Sequence, residues 1–209
     1  MGGVLMGKSA ALPARRWQVI LLGGPSGVGK TAVSYRLANY FGVGITEVDD
    51  FQALLLGITT AEQQPAIHFW RTHPTAEQLP AAEIMQRLLE HSDALTPGLE
   101  GVIGQHLEAS TPLVLEGDFL LPRLAAQASF SGQANGGRVR GAFLHEPDEQ
   151  QFVANYMARE PQSGPQVKRA QVSWLHGLWL KQEAERHGLP VVLSRPWDTV
   201  FERLIAAVS

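Results

Sequence analysis

The sequence has no cysteine and only four lysines, and each of these scarcities excludes a class of protein. Without cysteine there is no disulfide framework, no thiolate nucleophile and no cysteine-ligated zinc site. The 17 Lys and Arg residues are outnumbered by 20 Asp and Glu residues, which gives a formal net charge of −3. That balance argues against a protein whose surface is broadly basic and binds nucleic acid.

Long apolar segments are missing as well. No run approaches the ~20 apolar residues that cross a bilayer, and residues 1–17 lack the apolar centre of a signal peptide. We therefore expect a soluble, cytoplasmic protein, monomeric or homodimeric, that contacts neither a membrane nor nucleic acid.

The chain does contain enough apolar residues for a core, since 44% of its 209 residues are hydrophobic. At ~150 residues per domain, this length predicts one domain, which we assign to residues 17–209. Residues 1–16 are small and glycine-containing, and we expect them to form a mobile lead-in.

Five short apolar runs alternate with segments of helical periodicity. Short apolar strands that alternate with helices predict an α/β fold, in which a five-stranded parallel sheet is covered by helices on both faces. Between the runs, residues 51–110 show helical patterns and no strand, and residues 129–137 are typical of a polar loop. The runs cover residues 17–22, 45–48, 113–115, 139–144 and 189–193.

A glycine-rich motif follows the first apolar run and precedes a helical segment. Residues 24–31 match the phosphate-binding pattern G-x-x-x-x-G-K-[ST] completely. Glycines let the backbone turn its N–H groups toward phosphate oxygens, and the following helix adds its own free N–H groups. Lys30 is suited to the β- and γ-phosphates and the Thr31 hydroxyl to Mg²⁺. The predicted nucleotide-binding residues of this loop are Gly24, Pro25, Ser26, Gly27, Val28, Gly29, Lys30, Thr31 and Ala32.

Three segments together resemble the P-loop small-molecule kinases of the nucleoside-monophosphate-kinase-like branch. They are residues 23–31, Val48-Asp-Asp-Phe51 and Leu115-Glu-Gly-Asp118. They are most similar to 2-phosphoglycerate-kinase-like proteins, and next to the chloramphenicol-phosphotransferase and zeta-toxin group. The resemblance extends over residues 17–209. It implies a three-layer sandwich with strand order 2-3-1-4-5, ATP and Mg²⁺ as cofactors, and a small-molecule acceptor.

Carboxylates follow the second and third apolar runs, at the edge where parallel strands bring their carboxyl ends together. In the kinases that this chain resembles, an aspartate at the end of strand two orients or deprotonates the acceptor alcohol. Asp49 matches that position best and Asp50 is the alternative, although either is also a favoured N-cap for the following helix. Glu116 is predicted to hold Mg²⁺ through water or to contact the substrate, with Asp118 as the alternative.

Basic residues are predicted to complete the site, because the guanidinium group binds phosphate oxygens with two parallel hydrogen bonds. The resemblance implies a lid over residues 159–169 that carries Arg159, with Lys168 and Arg169 as further candidates. It also implies an acceptor-binding insertion over residues 51–110, where Arg71 is the candidate ligand of an anionic acceptor. After the fifth run, Arg195 or Trp197 is predicted to stack on the nucleotide base.

The predicted function is an ATP- and Mg²⁺-dependent kinase that acts on a small-molecule hydroxyl or phosphate acceptor. The alternatives are a P-loop NTPase that works as a switch or motor, and a nucleotide-binding module without catalysis. The predicted catalytic residues are Lys30, Asp49, Asp50 and Arg159. The predicted acceptor ligands are Asp49, Arg71 and Glu116. The predicted Mg²⁺ ligands are Thr31 and Glu116.

Overall fold

The computed structural model describes residues 12–209, so residues 1–11 of the predicted lead-in lie outside the described part of the chain. The strands are β1 (Val19–Gly23), β2 (Gly44–Glu47), β3 (Leu113–Gly117), β4 (Ser129–Phe130), β5 (Gln133–Ala134), β6 (Val139–His145) and β7 (Val191–Leu193). The α-helices are α1 (Lys30–Phe41), α2 (Val48–Ile58), α3 (Pro65–Thr72), α4 (Ala81–Ala109), α5 (Pro122–Ala125), α6 (Glu149–Arg159), α7 (Val167–Arg186) and α8 (Val200–Val208).

Five strands form one parallel sheet in the order β2-β3-β1-β6-β7. Counted within this sheet alone, that order is the predicted 2-3-1-4-5, and the predicted fold class is confirmed. The numbering differs because β4 and β5 form a separate antiparallel hairpin. The prediction of a polar loop over residues 129–137 was therefore wrong. Phe130 anchors this hairpin in the core and is fully buried, which the surrounding polar residues conceal in the sequence.

The central strand β1 has both faces buried because successive side chains of a strand point to opposite sides of the sheet. Ile20 and Leu22 face one hydrophobic cluster, and Val19 and Leu21 face another. The first cluster is filled by side chains of α1, α6 and α8, including Leu37, Phe152 and Leu204. The second is filled mainly by α4 and α5, including Leu95, Leu99, Ile103 and Leu124. The sheet therefore lies between two helical layers.

The segment between β2 and β3 is helical, as predicted for residues 51–110. It consists of α2, α3, a 3-10 turn at Ala76–Gln78 and the long helix α4. Val48 and Ile67 pack into the cluster that α4 fills, so α2 and α3 are attached to the same side of the sheet. No helix within residues 12–209 combines the length and the apolar character needed to cross a membrane.

Two glycines of α4 provide a matched test of how the β4–β5 hairpin packs. A Cβ added at Gly104 would lie 2.8 Å from Ser131 Cβ and 3.0 Å from the Phe130 carbonyl oxygen, whereas one at Gly101 would meet no atom within 4 Å. We expect Gly101→Ala to stabilise the fold by about 0.4–1 kcal/mol, because alanine restricts the unfolded chain. Gly104→Ala should destabilise it by about 1–3 kcal/mol through overpacking. Denaturant unfolding measures both, and equal gains in stability would contradict the packing.

Candidate active site

A cleft of about 730 Å³ opens at the carboxyl end of the parallel sheet, beside the loop that joins β1 to α1. This is the edge at which α/β proteins with parallel sheets bind ligands. The loop and the start of α1 contribute Ser26, Gly27, Val28, Gly29, Lys30, Thr31 and Ala32. The ends of β2 and β3 and the residues after them contribute Glu47, Asp49, Glu116 and Asp118. The remaining wall consists of Asn155, Ala158, Arg159, Arg195 and Trp197.

The loop is a compact turn that depends on glycines in the left-handed region. The φ angle is +80° at Gly27 and +97° at Gly29, a conformation that L side chains rarely adopt. A Cβ at Gly27 would lie 2.9 Å from Tyr156 Cζ, and one at Gly29 would lie 2.5 Å from the Trp197 ring. Side chains are therefore excluded at both positions by the backbone and by packing.

Lys30 is a buried cation at the start of α1, with 5% of its surface exposed. Its Nζ donates to the Pro25 carbonyl oxygen over 3.1 Å and forms an ion pair with Asp118. A buried charge is tolerated when it is paired in this way. Asp118, the predicted alternative to Glu116, is thus placed as the counter-charge of Lys30.

Two predicted nucleotide-binding residues do not line the cleft. Gly24 has φ +147° and packs against the carbonyl oxygen of Leu144, and Pro25 supplies the carbonyl that holds Lys30. Gly24 and Pro25 therefore shape the turn without facing the cleft. The other predicted loop residues, from Ser26 to Ala32, line the cleft.

Glu116 lies within β3, because this strand continues through Glu116 to Gly117. The Ser34 hydroxyl donates to Glu116 Oε2 over 3.4 Å, and Thr31 lines the same cleft as this carboxylate. Burial raises the pKa of Glu116, although the Lys30 ammonium acts to lower it. The folded protein therefore buries a carboxylate next to the phosphate-binding loop, and this burial disfavours its charged form.

Asp49 and Asp50 do not end β2 as predicted, since β2 ends at Glu47 and both residues lie in the first turn of α2. Adjacent residues of a helix point about 100° apart. Both side chains are exposed, but Asp49 lines the cleft and Asp50 does not. Glu47, which the sequence analysis did not consider, occupies the wall beside Asp49.

The environment of Asp49 opposes its ionised form. Partial burial raises the pKa of Asp49, and the Asp118 carboxylate raises it further, while the Lys30 ammonium acts in the opposite direction. A carboxylate with a raised pKa holds a proton more readily than an ordinary aspartate. Asp49 is therefore suited to receive a proton within this cleft.

The oxygen groups beside the loop fit Mg²⁺. Within residues 12–209 no group of three or more His, Asp or Glu side chains forms a metal-binding cluster. Mg²⁺ is commonly bound by one or two carboxylates together with substrate phosphates and waters, so it does not need such a cluster. The Thr31 hydroxyl and the Glu116 carboxylate, which line the same cleft, are oxygen ligands that the cleft offers for this ion.

A second cleft of about 740 Å³ lies between the helical segment and α7, and Ser26 lines both clefts. Its apolar side chains include Trp70, Leu88 and Val172, and its basic residues are Lys168 and Arg169. Lys168 has no carboxylate partner among the described residues. The second cleft therefore combines an apolar wall with positive charge.

Glu160 connects the two clefts. Its carboxylate lies 2.9 Å from Arg159 Nη2 and 3.0 Å from Arg169 Nη1. Arg159 lines the first cleft and Arg169 the second, and both guanidinium groups lie over the Tyr156 ring. The residues predicted as a lid thus stand where the two clefts meet.

Arg71 was predicted as an acceptor ligand, but the structure places it outside both clefts. Its Nη1 donates to the Leu56 carbonyl oxygen over 3.3 Å, and the side chain is exposed. The neighbouring Trp70 lines the second cleft instead. As with Asp49 and Asp50, the helical period decides which of two adjacent residues faces the cleft.

The chain is similar in sequence to several proteins named 2-phosphoglycerate kinase. The chain is 21% identical over 202 residues to a 2-phosphoglycerate kinase of Methanopyrus kandleri. The aligned region covers 91% of this chain and 60% of that protein. The chain spans between 59% and 65% of the lengths of three such relatives. No protein-family model matches the chain.

Solved structures share the fold. A gluconokinase from Sinorhizobium meliloti 1021 matches with a TM-score of 0.51 at 17% identity, over 93% of each chain. A shikimate kinase from Acinetobacter baumannii, in complex with shikimate, gives 0.52 at 16% identity, over 92% of this chain and 93% of that one. This chain resembles the P-loop small-molecule kinases in sequence and in fold. The resemblance predicted from its motifs is thereby confirmed.

The burial of Glu116 leads to a prediction about stability in metal-free buffer. Because the pKa of Glu116 is raised in the folded chain, the folded state binds more protons between the unfolded and folded pKa values, and stability falls as pH rises through that interval. Glu116→Gln removes this loss. With EDTA present, we expect the variant to melt a few degrees above wild type at about pH 8, and the difference to vanish near about pH 4.

The matched control is Glu62→Gln, which changes an exposed carboxylate outside both clefts. Its Tm should follow that of wild type at both pH values. A Glu116→Gln protein that is less stable than wild type at the higher pH would show that burial does not dominate the pKa of Glu116.

Proposed function

We propose that this protein is an ATP- and Mg²⁺-dependent kinase that transfers the γ-phosphoryl group to a hydroxyl of a small anionic acceptor. The observation that carries the proposal is one cleft that holds both a complete phosphate-binding loop with its buried Lys30 and the carboxylate of Asp49. The similarity to 2-phosphoglycerate kinases makes 2-phosphoglycerate the first acceptor to test.

The loop binds the nucleotide phosphates. Its backbone N–H groups and the N-terminus of α1 suit phosphate oxygens, and Lys30 adds a positive charge for the β- and γ-phosphates. Mg²⁺, when bound, neutralises charge on these phosphates, and Thr31 and Glu116 are the residues that would hold it. Arg195 and Trp197, which line the same cleft, receive the base.

Transfer then needs an aligned acceptor. The acceptor hydroxyl oxygen bonds to the γ-phosphorus while the bond from that phosphorus to the β–γ bridging oxygen breaks, which leaves ADP. The hydroxyl proton passes to Asp49, whose raised pKa suits it to this role. Most of the rate enhancement comes from alignment and from charge stabilisation, in which Arg159 takes part as a residue of the lid.

The second cleft binds the rest of the acceptor. It adjoins the phosphate loop at Ser26, and four of its residues (Trp70, Glu77, Ile84 and Leu88) belong to the helical insertion. Lys168 gives it a positive charge beside the ion-paired Arg169 and the Glu77 carboxylate, which favours an acceptor that carries a carboxylate or phosphate. The division into a domain over residues 17–209, an acceptor-binding insertion and a lid belongs to this proposal, as do a cytoplasmic location and a monomeric or homodimeric state.

The experiment that tests the proposal measures ADP release in the presence of 2-phosphoglycerate, gluconate or shikimate, with an acceptor-free reaction as the blank. We expect acceptor-dependent ADP formation with a phosphorylated or carboxylated acceptor. Lys30→Ala should lower kcat by about 10²–10³-fold, the usual effect of removing one preorganised donor to developing charge. Lys181→Ala, which removes an exposed ammonium of α7 outside both clefts, is the matched control.

Each alternative function has its own outcome in this assay. ADP release at the same rate with and without every acceptor would favour an NTPase switch. ATP binding without any turnover would favour a module that has no catalytic activity. A folded Lys30→Ala protein with wild-type kcat would refute the role of the phosphate-binding loop.

Asp49 and Asp50 form a natural pair of variants. We expect Asp49→Asn to lower acceptor-dependent kcat by about 10²–10⁴-fold, the usual contribution of a general base, while the Kd of ATP changes little. Asp50→Asn should have little effect on either quantity, because Asp50 lies outside the cleft. Calorimetric Kd values and kcat are measured for both variants. An Asp49→Asn protein that loses ATP affinity but keeps kcat would contradict the assigned role.

A further inference from the structure

Asn155 on α6 connects two parts of the nucleotide cleft that are far apart in the sequence. Its Nδ2 donates to the Gly27 carbonyl oxygen of the phosphate loop over 2.9 Å. Its Oδ1 accepts from Arg195 Nη2 over 3.1 Å and from Gln151 Nε2 over 2.8 Å. A carbonyl oxygen can only accept and a guanidinium can only donate, so these partners fix the orientation of the amide.

Gly27 is held by two consecutive residues of α6. Tyr156 is fully buried and its ring fills the space where a side chain at Gly27 would lie. The Tyr156 hydroxyl is in turn 2.7 Å from Ser173 Oγ of α7. The Gly27 carbonyl oxygen carries a partial negative charge. Because it accepts a hydrogen bond from Asn155, it points toward α6 and does not face a phosphate group. The loop is thus preorganised for an anion.

Arg195 is held between Asn155 and a buried carboxylate. Glu146 is 3% exposed, its Oε2 accepts from Ser194 Oγ over 2.6 Å, and the same oxygen lies 3.8 Å from Arg195 Nε. Arg203 of α8 donates to the carbonyl oxygens of Leu193, Arg195 and Pro196, which fixes the backbone of this segment. The guanidinium therefore has a defined position at the cleft wall.

We propose that Asn155 is a positioning residue that couples the phosphate loop to Arg195, so that both parts of the nucleotide site are held as one unit. This inference rests on the proposed function, because it assigns the coupled site to a nucleotide. The phosphates meet the loop that Asn155 holds through Gly27, and the base side meets Arg195. Loss of the amide should therefore weaken contacts at both ends of the nucleotide.

The test measures calorimetric Kd values for ADP and for pyrophosphate, which probes the phosphate loop alone. Asn155→Ala should raise both Kd values about tenfold or more, the effect expected when hydrogen bonds that position charged contacts are lost. Arg195→Ala should weaken ADP binding and leave pyrophosphate binding unchanged. In the double variant, the losses in ADP binding should be less than additive, because Asn155→Ala already disturbs the guanidinium that Arg195→Ala removes. Gln150→Ala removes an exposed side chain of α6 that lines neither cleft, and it should change both Kd values less than twofold.

Asn155→Asp keeps the shape and the acceptor for Arg195 but removes the donor to Gly27, so it stays informative if Asn155→Ala fails to fold. It should weaken pyrophosphate binding at least as much as Asn155→Ala does, in a protein that remains folded. Wild-type affinities in a folded Asn155→Asp protein, or additive losses in the double variant, would overturn the inference. If wild type itself binds neither ADP nor pyrophosphate, the proposed function fails, and the coupling fails with it.

Discussion

The buried ammonium of Lys30 is the charge around which the cleft is organised. It is removed from water at the start of α1 and is stabilised by Asp118 and by the Pro25 carbonyl. Burial raises the pKa of Glu116, and partial desolvation together with the Asp118 carboxylate raises the pKa of Asp49, even though Lys30 acts to lower both. The cleft thus keeps a buried cation and several carboxylates close together, and such concentrations of perturbed groups are typical of functional sites.

The parallel sheet is what brings these charges together. The loop follows β1, Glu116 lies at the end of β3, and Asp49 follows β2. Arg195 follows β7 at the other side of the sheet. No single helix or strand contains the site, so its geometry depends on the strand order and on the two helical layers that bury β1. The helix α6 adds a second constraint, because Asn155 binds the Gly27 carbonyl oxygen and the Tyr156 ring packs against Gly27.

Local sequence patterns predicted much of this arrangement. The alternation of apolar runs with helical segments indicated the α/β class, and the complete loop motif indicated the phosphate site and its cation. The errors concern which side chain of a helix faces the cleft and where individual helices and strands begin and end. Asp49 and Asp50, and likewise Trp70 and Arg71, are adjacent on helices, and a one-residue difference in where a helix begins decides which of them faces the cleft. Phe130 was missed because a single buried side chain among polar residues has no periodicity to reveal it.

The sequence by itself determined the requirement for glycine at the turns of the loop, the lysine and threonine that follow, and the approximate positions of the five strands of the parallel sheet. These depend on backbone conformation and on short periodicities, which are written in neighbouring residues. Only the tertiary structure decided that Asp118 pairs with Lys30, that Asn155 binds Gly27 and Arg195, and that a second cleft adjoins the loop at Ser26. These contacts join residues that are distant along the chain, and they form only where the packing of helices on the sheet brings specific side chains within hydrogen-bonding distance.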